Sequence, residues 1–211
     1  MPSRRYRVIC FVARHCGVEL LNRLIQHPQI DVVCVFTHSK RPKSEDPARS
    51  ERPEFASMRH MTSLRNIPLY VVDSPKDEIF ENVESLGEFD FLLSLSWRFL
   101  VPQQILSRAR LASINLHRGL LPQYAGAEPV RRMLEDGLKQ ATITAHVMEE
   151  MIDSGEILFE AHLPMEILDG ETLPQAVSRI KCELDPVYPA VALNAIQKVL
   201  KSKGLPKLEG A

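Results

Sequence analysis

"YRVICFVARHCGVELLNRLIQHPQIDVVCVFTH", residues 6–38, decides the fold class of this 211-residue chain. Residues 6–12 form a short, nearly continuous apolar run, the pattern of a strand buried on both faces. Residues 17–26, "GVELLNRLIQ", space their apolar side chains by three and four, as a helix with one buried face does. Residues 31–38, "DVVCVFTH", return to a β-branched apolar run. Strand, helix and strand in this order make a parallel unit. "IPLYVV" (67–72) and "FDFLLSLS" (89–96) supply two further strands, and "KDEIFENVESL" (76–86) reads as a helix between them. The economical architecture is an α/β fold whose mostly parallel open sheet is flanked by helices.

The connection after the second strand, "SKRPKSEDPARSERPEF" (39–55), is rich in charge and proline. With few apolar anchors it reads as an exposed, mobile loop. Further on, "EPVRRMLEDG" (128–137) is a short helix closed by Gly137, while "TITAHVM" (142–148) and "GEILFEAHLPM" (155–165) are strands joined by "EEMIDS". A long helix is expected from about 172 to 201, interrupted near "DPVYP" because proline removes backbone donors. Residues 1–203 are expected to form a single domain and 204–211 a frayed tail.

Composition narrows the function without naming it. A formal net charge of −1 gives no global basic field, so nucleic acid is not an expected partner. Cys10, Cys16, Cys34 and Cys182 lack metal-site spacing and read as reduced thiols in a cytoplasmic protein. The basic start is followed by an apolar stretch that breaks at Arg14, so neither export nor a membrane span is indicated. After the first strand, "VARHCGVELL" offers only Gly17, which is neither a dinucleotide nor a triphosphate loop. His38 ends the second strand, and open parallel sheets bind ligands outside the carboxyl ends of their strands.

Chemistry concentrates in "SINLHRGLLPQYAGAEPV", residues 113–130. On a strand, Asn115 and His117 point to the same face, beside a loop kept compact by Gly119, Pro122 and Gly126. Asp153 follows in a connection where Gly155 permits a tight turn. An imidazole can exchange protons with an amine, a carboxylate can orient and charge it, and an amide can donate to a carbonyl oxygen as negative charge develops there. Acyl transfer between two nitrogens needs those functions and no metal or covalent nucleophile. Sequence spacing alone does not bring Asp153 to His117.

The stretch "INLHRGLLPQYAGAEPV" (114–130), followed by "ITAHVMEEMIDSGEI" (143–157), resembles the signature of the folate-dependent formyltransferases, whose motif is N-x-H, a "SLLPxYRG" loop and a "D-x-G" turn. The resemblance runs from "RVICFV" to the final helix and implies a Rossmann-like formyltransferase fold. It places Asn115, His117 and Asp153 on the catalytic positions. It implies 10-formyltetrahydrofolate as co-substrate, held largely by backbone around "SLSWRFLVP" (Trp97, Arg98, Leu100, Val101) and "HVMEEMID" (Val147, Glu149, Glu150). Where family members carry Pro-Ser after the histidine and Arg in "YRG", this chain has Arg118, Gly119 and Ala125.

Within that resemblance the glycinamide ribonucleotide acceptor lacks its phosphate loop here, and the tRNA acceptor lacks its expected carboxy-terminal barrel and basic surface. "VFTHSK", the polar loop and "SWRFLVP" look most like the enzymes of nucleotide-linked amino sugars, with Arg14, His15, Arg118, Gly119 and Tyr124 as acceptor contacts and a homodimer as one assembly. Three alternatives stay open: a folate-binding module without turnover, formyl transfer to another amine such as glycinamide ribonucleotide or methionyl-tRNA, and hydrolysis of the formyl donor.

Overall fold

The computed structural model describes residues 4–75 and 83–209. Seven strands follow the order β3-β2-β1-β4-β5-β6-β7 in one sheet: β1 (Tyr6–Val12), β2 (Ile30–Thr37), β3 (Leu69–Val71), β4 (Phe89–Leu95), β5 (Ala109–His117), β6 (Gln140–Val147) and β7 (Ile157–Pro164). β1 pairs in parallel with β2 and β4, and β2 with β3. β6 runs antiparallel to both β5 and β7. The expected α/β class with a mostly parallel sheet is present, and the antiparallel strands sit together at one end of the order.

The chain divides into two compact units, Met1–Ser113 and Ile114–Ala211. In the first, every β1 residue except Arg7 is buried, as the apolar run requires. Helix α1 (Arg14–Gln26) covers it with Cys16, Gly17, Leu20, Leu21 and Leu24. Gly17 is a packing residue and not a ligand loop: a Cβ there would lie 3.0 Å from Met58 Cε and 3.1 Å from Val12 Cβ. The thiols of Cys10 and Cys34 are buried, and burial pushes both upward, Cys34 to about 12, which suits inert core sulfur.

The 39–55 connection differs from expectation. It is largely exposed, yet it is pinned: Lys40 bridges to Glu51, Asp46 accepts from the Ala48 and Ser50 amides, and Arg52 is buried. Its end opens a helix that the charge and proline content concealed, α2 (Pro53–Leu64), with proline in its first turn and Phe55, Met58 and Thr62 inward. Of the helix expected over 76–86, residues 76–82 lie outside the described residues and Val83–Leu86 form a 3₁₀ turn. A one-turn helix, α3 (Gln103–Leu106), precedes β5.

In the second unit, helix α4 (Pro129–Glu135) is followed by β6, β7 and the expected broken helix. That helix consists of α5 (Leu173–Leu184), a 3₁₀ turn over Asp185–Val187, and α6 (Tyr188–Ser202). Thr172 and Gln175 form a capping box at the start of α5. The expected frayed tail stays packed as far as Leu208, which is 5% exposed and donates its amide to Gln197 Oε1 at 2.8 Å.

Candidate functional site

Asn115 and His117 lie on the last turn of the pleat of β5, and the neighbouring strand presents His146 and Thr144 directly opposite them. Cross-strand partners share a face. His146 Nδ1 donates to the Val147 carbonyl at 2.9 Å, which leaves Nε2 facing Asn115 Nδ2 at 3.1 Å. Thr144 donates its hydroxyl to the Gly119 carbonyl at 2.8 Å, anchoring the loop that follows β5.

Asp153 reaches this face from the β6–β7 connection. Its φ of 56° is the left-handed conformation that aspartate tolerates better than most residues. One carboxylate oxygen, Oδ2, accepts the Gly126 amide at 2.9 Å and lies 3.4 Å from His117 Nδ1. The other, Oδ1, lies 3.3 Å from His146 Nε2. Burial raises the Asp153 pKa, but the nearby His146 ring, the Gly126 amide and the His117 ring overcome it and hold it at about 2. Asp153 is therefore a fixed anion.

His117 Nε2 donates to the Tyr124 carbonyl at 2.8 Å, so Nδ1 is the atom turned to the carboxylate. Burial lowers the His117 pKa below the ordinary imidazole value, more than the attraction of Asp153 raises it. A neutral imidazole with a carboxylate beside its second nitrogen is a base whose conjugate acid has a counter-ion in place. The three residues named from sequence thus come together within one unit. His146 was not among them. The signal was in the string: His146 stands in register with Asn115 once "TITAHVM" is placed antiparallel to "SINLH".

The other candidates fall out differently. Tyr124 contributes its carbonyl to His117, while its hydroxyl donates to Asp136 at 2.8 Å. Gly119 faces the site, where a Cβ would lie 2.9 Å from His117 Nε2 and 2.7 Å from Pro129 Cβ. Arg118, expected to meet the acceptor, turns to α5 and α6: Nε donates to the Tyr188 hydroxyl at 2.8 Å and Nη2 lies 3.2 Å from Asp185 Oδ1. Its charge is spent on a buried acid at the junction of α5 and α6.

In the first unit, Arg14 pairs with Glu45, and His15 lies 3.8 Å from Glu19 one helical turn on. Trp97 stacks on His38 with ring centroids 4.1 Å apart, and Arg98 donates to the Lys40 carbonyl at 2.8 Å and to Asp73. Both side chains are therefore internal contacts of this unit. His38 itself is buried: Nδ1 donates to the Val72 carbonyl and Nε2 accepts the Arg98 amide at 3.3 Å. Val101 is buried, whereas Leu100 is 73% exposed. In the second unit Val147 is half-buried and Glu149 and Glu150 are exposed, next to exposed Met151 and Ile152.

An amide, an imidazole and an ionised carboxylate on one strand face are the equipment of acyl transfer. The chain belongs to the formyl transferase family, whose model matches residues 4–192. It is 29% identical over 169 residues to a methionyl-tRNA formyltransferase of Gloeothece citriformis, covering 78% of this chain and 48% of that protein. The chain spans about half the length of the curated relatives it matches. Among solved structures, a formyltetrahydrofolate deformylase from Pseudomonas syringae superposes with a TM-score of 0.68 at 20% identity, covering 93% of this chain and 63% of that one. A phosphoribosylglycinamide formyltransferase from Brucella melitensis gives 0.65 at 22%, covering 99% and 100%. These likenesses establish the fold.

Proposed function

We propose that this protein transfers a formyl group from 10-formyltetrahydrofolate to a primary amine, with Asn115, His117 and Asp153 as the working groups. The observation that carries it is the contact of His117 Nδ1 with an Asp153 carboxylate held fully ionised. The formyl donor supplies an activated carbonyl carbon; the acceptor nitrogen bonds to that carbon and the donor's nitrogen departs.

Asn115 has two amide hydrogens, one directed at His146 Nε2, and the second serves the carbonyl oxygen as it becomes negative. His117 takes up the amine proton at Nδ1, where the new positive charge lies against Asp153 Oδ2. The same proton then goes to the leaving nitrogen. Trp97, Arg98, Leu100 and Val101 in one segment and Val147, Glu149 and Glu150 in the other are the cofactor candidates, through backbone and apolar contact.

For the acceptor, the likeness of "VFTHSK" and "SWRFLVP" to sugar enzymes supports the amino group of a nucleotide-linked amino sugar. A second acceptor is favoured by a specific observation: the curated relatives include methionyl-tRNA formyltransferases. The test is formyl transfer from 10-formyltetrahydrofolate to a panel of nucleotide-linked amino sugars, glycinamide ribonucleotide and methionyl-tRNA, with a no-acceptor control. Turnover with one amine supports transfer and names the acceptor. Formate release without any acceptor, or folate binding with no turnover on the panel, overturns it.

A further inference from the structure

Three consecutive residues of the loop after β5 serve the second unit's site through their backbone. The Tyr124 carbonyl accepts from His117 Nε2 at 2.8 Å, and the Gly126 amide donates to Asp153 Oδ2 at 2.9 Å. Between them, the Ala125 carbonyl accepts from Arg132 Nη2. The stretch therefore meets the imidazole at one end, the carboxylate at the other and a guanidinium in the middle. Where the "YRG" motif carries arginine this chain has Ala125, and the guanidinium at that carbonyl comes from α4 instead.

The Ala125 carbonyl and the Gly126 amide belong to one planar peptide unit, so a group that fixes the oxygen also fixes the direction of the N–H. A cationic donor on the oxygen polarises the peptide as well, which makes its N–H a stronger donor to Asp153. The constraint matters because Gly126 holds φ 81°, and a glycine flanking this peptide lets it adopt other orientations at little cost. Arg132 is placed for this task. It is half-buried with its Nε shielded from solvent, and its guanidinium carbon lies 5.7 Å from the centre of the Tyr124 ring. Its contacts are a carbonyl and an aromatic face rather than a carboxylate. The other anchors act elsewhere on the loop: Thr144 holds the Gly119 carbonyl, and the Tyr124 hydroxyl reaches Asp136.

We propose that Arg132 is a positioning residue for the His117–Asp153 pair: it holds the Ala125–Gly126 peptide in the orientation that donates to Asp153 and keeps the Tyr124 carbonyl on His117 Nε2. Which ring nitrogen carries the proton is set by the hydrogen bond that the ring makes. With Nε2 committed to Tyr124, Nδ1 is the basic nitrogen, beside Asp153 Oδ2. Without Arg132 the peptide reorients, His117 populates the tautomer protonated at Nδ1, and the base no longer faces its counter-ion. The effect on turnover rests on the transferase reading; the effect on the tautomer does not.

The test is long-range ¹H–¹⁵N NMR of the imidazoles, with hydrogen exchange at the Gly126 amide, on the full chain in mildly alkaline solution. Wild-type His117 should show a single tautomer, protonated at Nε2. Arg132→Met should mix the tautomers and speed Gly126 exchange by about tenfold or more. Arg132→Lys, which keeps a cationic donor, should retain most of both properties, and Arg131→Gln on the same helix should match wild type. Under the transferase reading, kcat of Arg132→Met should fall about tenfold or more while KM for the formyl donor changes less than about twofold. Arg132→Ala gives the same reading should the methionine variant not fold. A folded variant without the donor that keeps the wild-type tautomer and the wild-type Gly126 exchange overturns the proposal. Absence of turnover by wild type on any amine counts against the transferase reading alone, because the tautomer and exchange measurements need no turnover.

Discussion

At Asp153 one carboxylate lies between two imidazoles, and the two contacts have different consequences. Loss of the His117 contact removes the counter-ion of the proposed base; loss of the His146 contact frees the partner of Asn115. His117→Ala and Asp153→Ala are each expected to cut turnover by about two orders of magnitude or more with the fold retained, checked by steady-state kinetics and circular dichroism. His117 acts in its neutral form and its pKa is lowered, so activity should hold as pH falls to about 6.5 and decline only in more acid solution. A pH–rate profile whose acid limb sits above pH 7 would contradict this assignment.

At the level of elements, two glycines determine whether the strands can present the site. A Cβ on Gly155 would lie 2.0 Å from the Val147 carbonyl oxygen, inside the backbone of β6. Gly155→Ala should therefore displace the β6–β7 connection that carries Asp153, costing more than the roughly 1–3 kcal/mol usual for overpacking, as measured by urea unfolding. Gly119→Ala crowds His117 Nε2 and the Tyr124 carbonyl together, and a fall of about tenfold or more in kcat with smaller loss of stability is expected. Arg118 belongs to the elements too. It joins the end of β5 to the junction of α5 and α6, and Arg118→Met leaves Asp185, 8% exposed, without its cation. A loss of about 3 kcal/mol or more in unfolding free energy should accompany it.

Over the whole molecule, acid sensitivity follows from groups held away from their ordinary protonation. Burial lowers His38 to about 4, outweighing the hydrogen bond to the Val72 carbonyl, so the folded chain binds fewer protons there than the unfolded chain below pH 6.5. That stability is fully present above about 6.5 and is lost as pH falls through 4, roughly 3 kcal/mol from this residue. Asp153 acts in a lower window: its contribution is present above the ordinary carboxylate value and disappears only as pH falls toward 2. Unfolding measured between pH 7 and 4 should show the first loss, and His38→Gln should flatten it.

Sequence by itself determined the elements whose signal is local. Residues 6–38 carried the parallel unit in the alternation of apolar runs and helical spacing, and "DPVYP" carried the break between α5 and α6, because proline acts on its own backbone. Asn115 and His117 were legible as a same-face pair for the same reason: period two is a property of the strand alone. Tertiary structure decided everything that depends on which strand lies beside which. Antiparallel pairing of β5 and β6 set His146 opposite Asn115, and the turn after β6 carried Asp153 to both imidazoles. Helix α2 stayed hidden because its charged, proline-rich approach resembles a loop until Phe55, Met58 and Thr62 find a core. Arg118 read as a ligand contact until Asp185, 67 positions away, took its charge. Partners so distant in the chain are chosen by packing, and no local spacing encodes them.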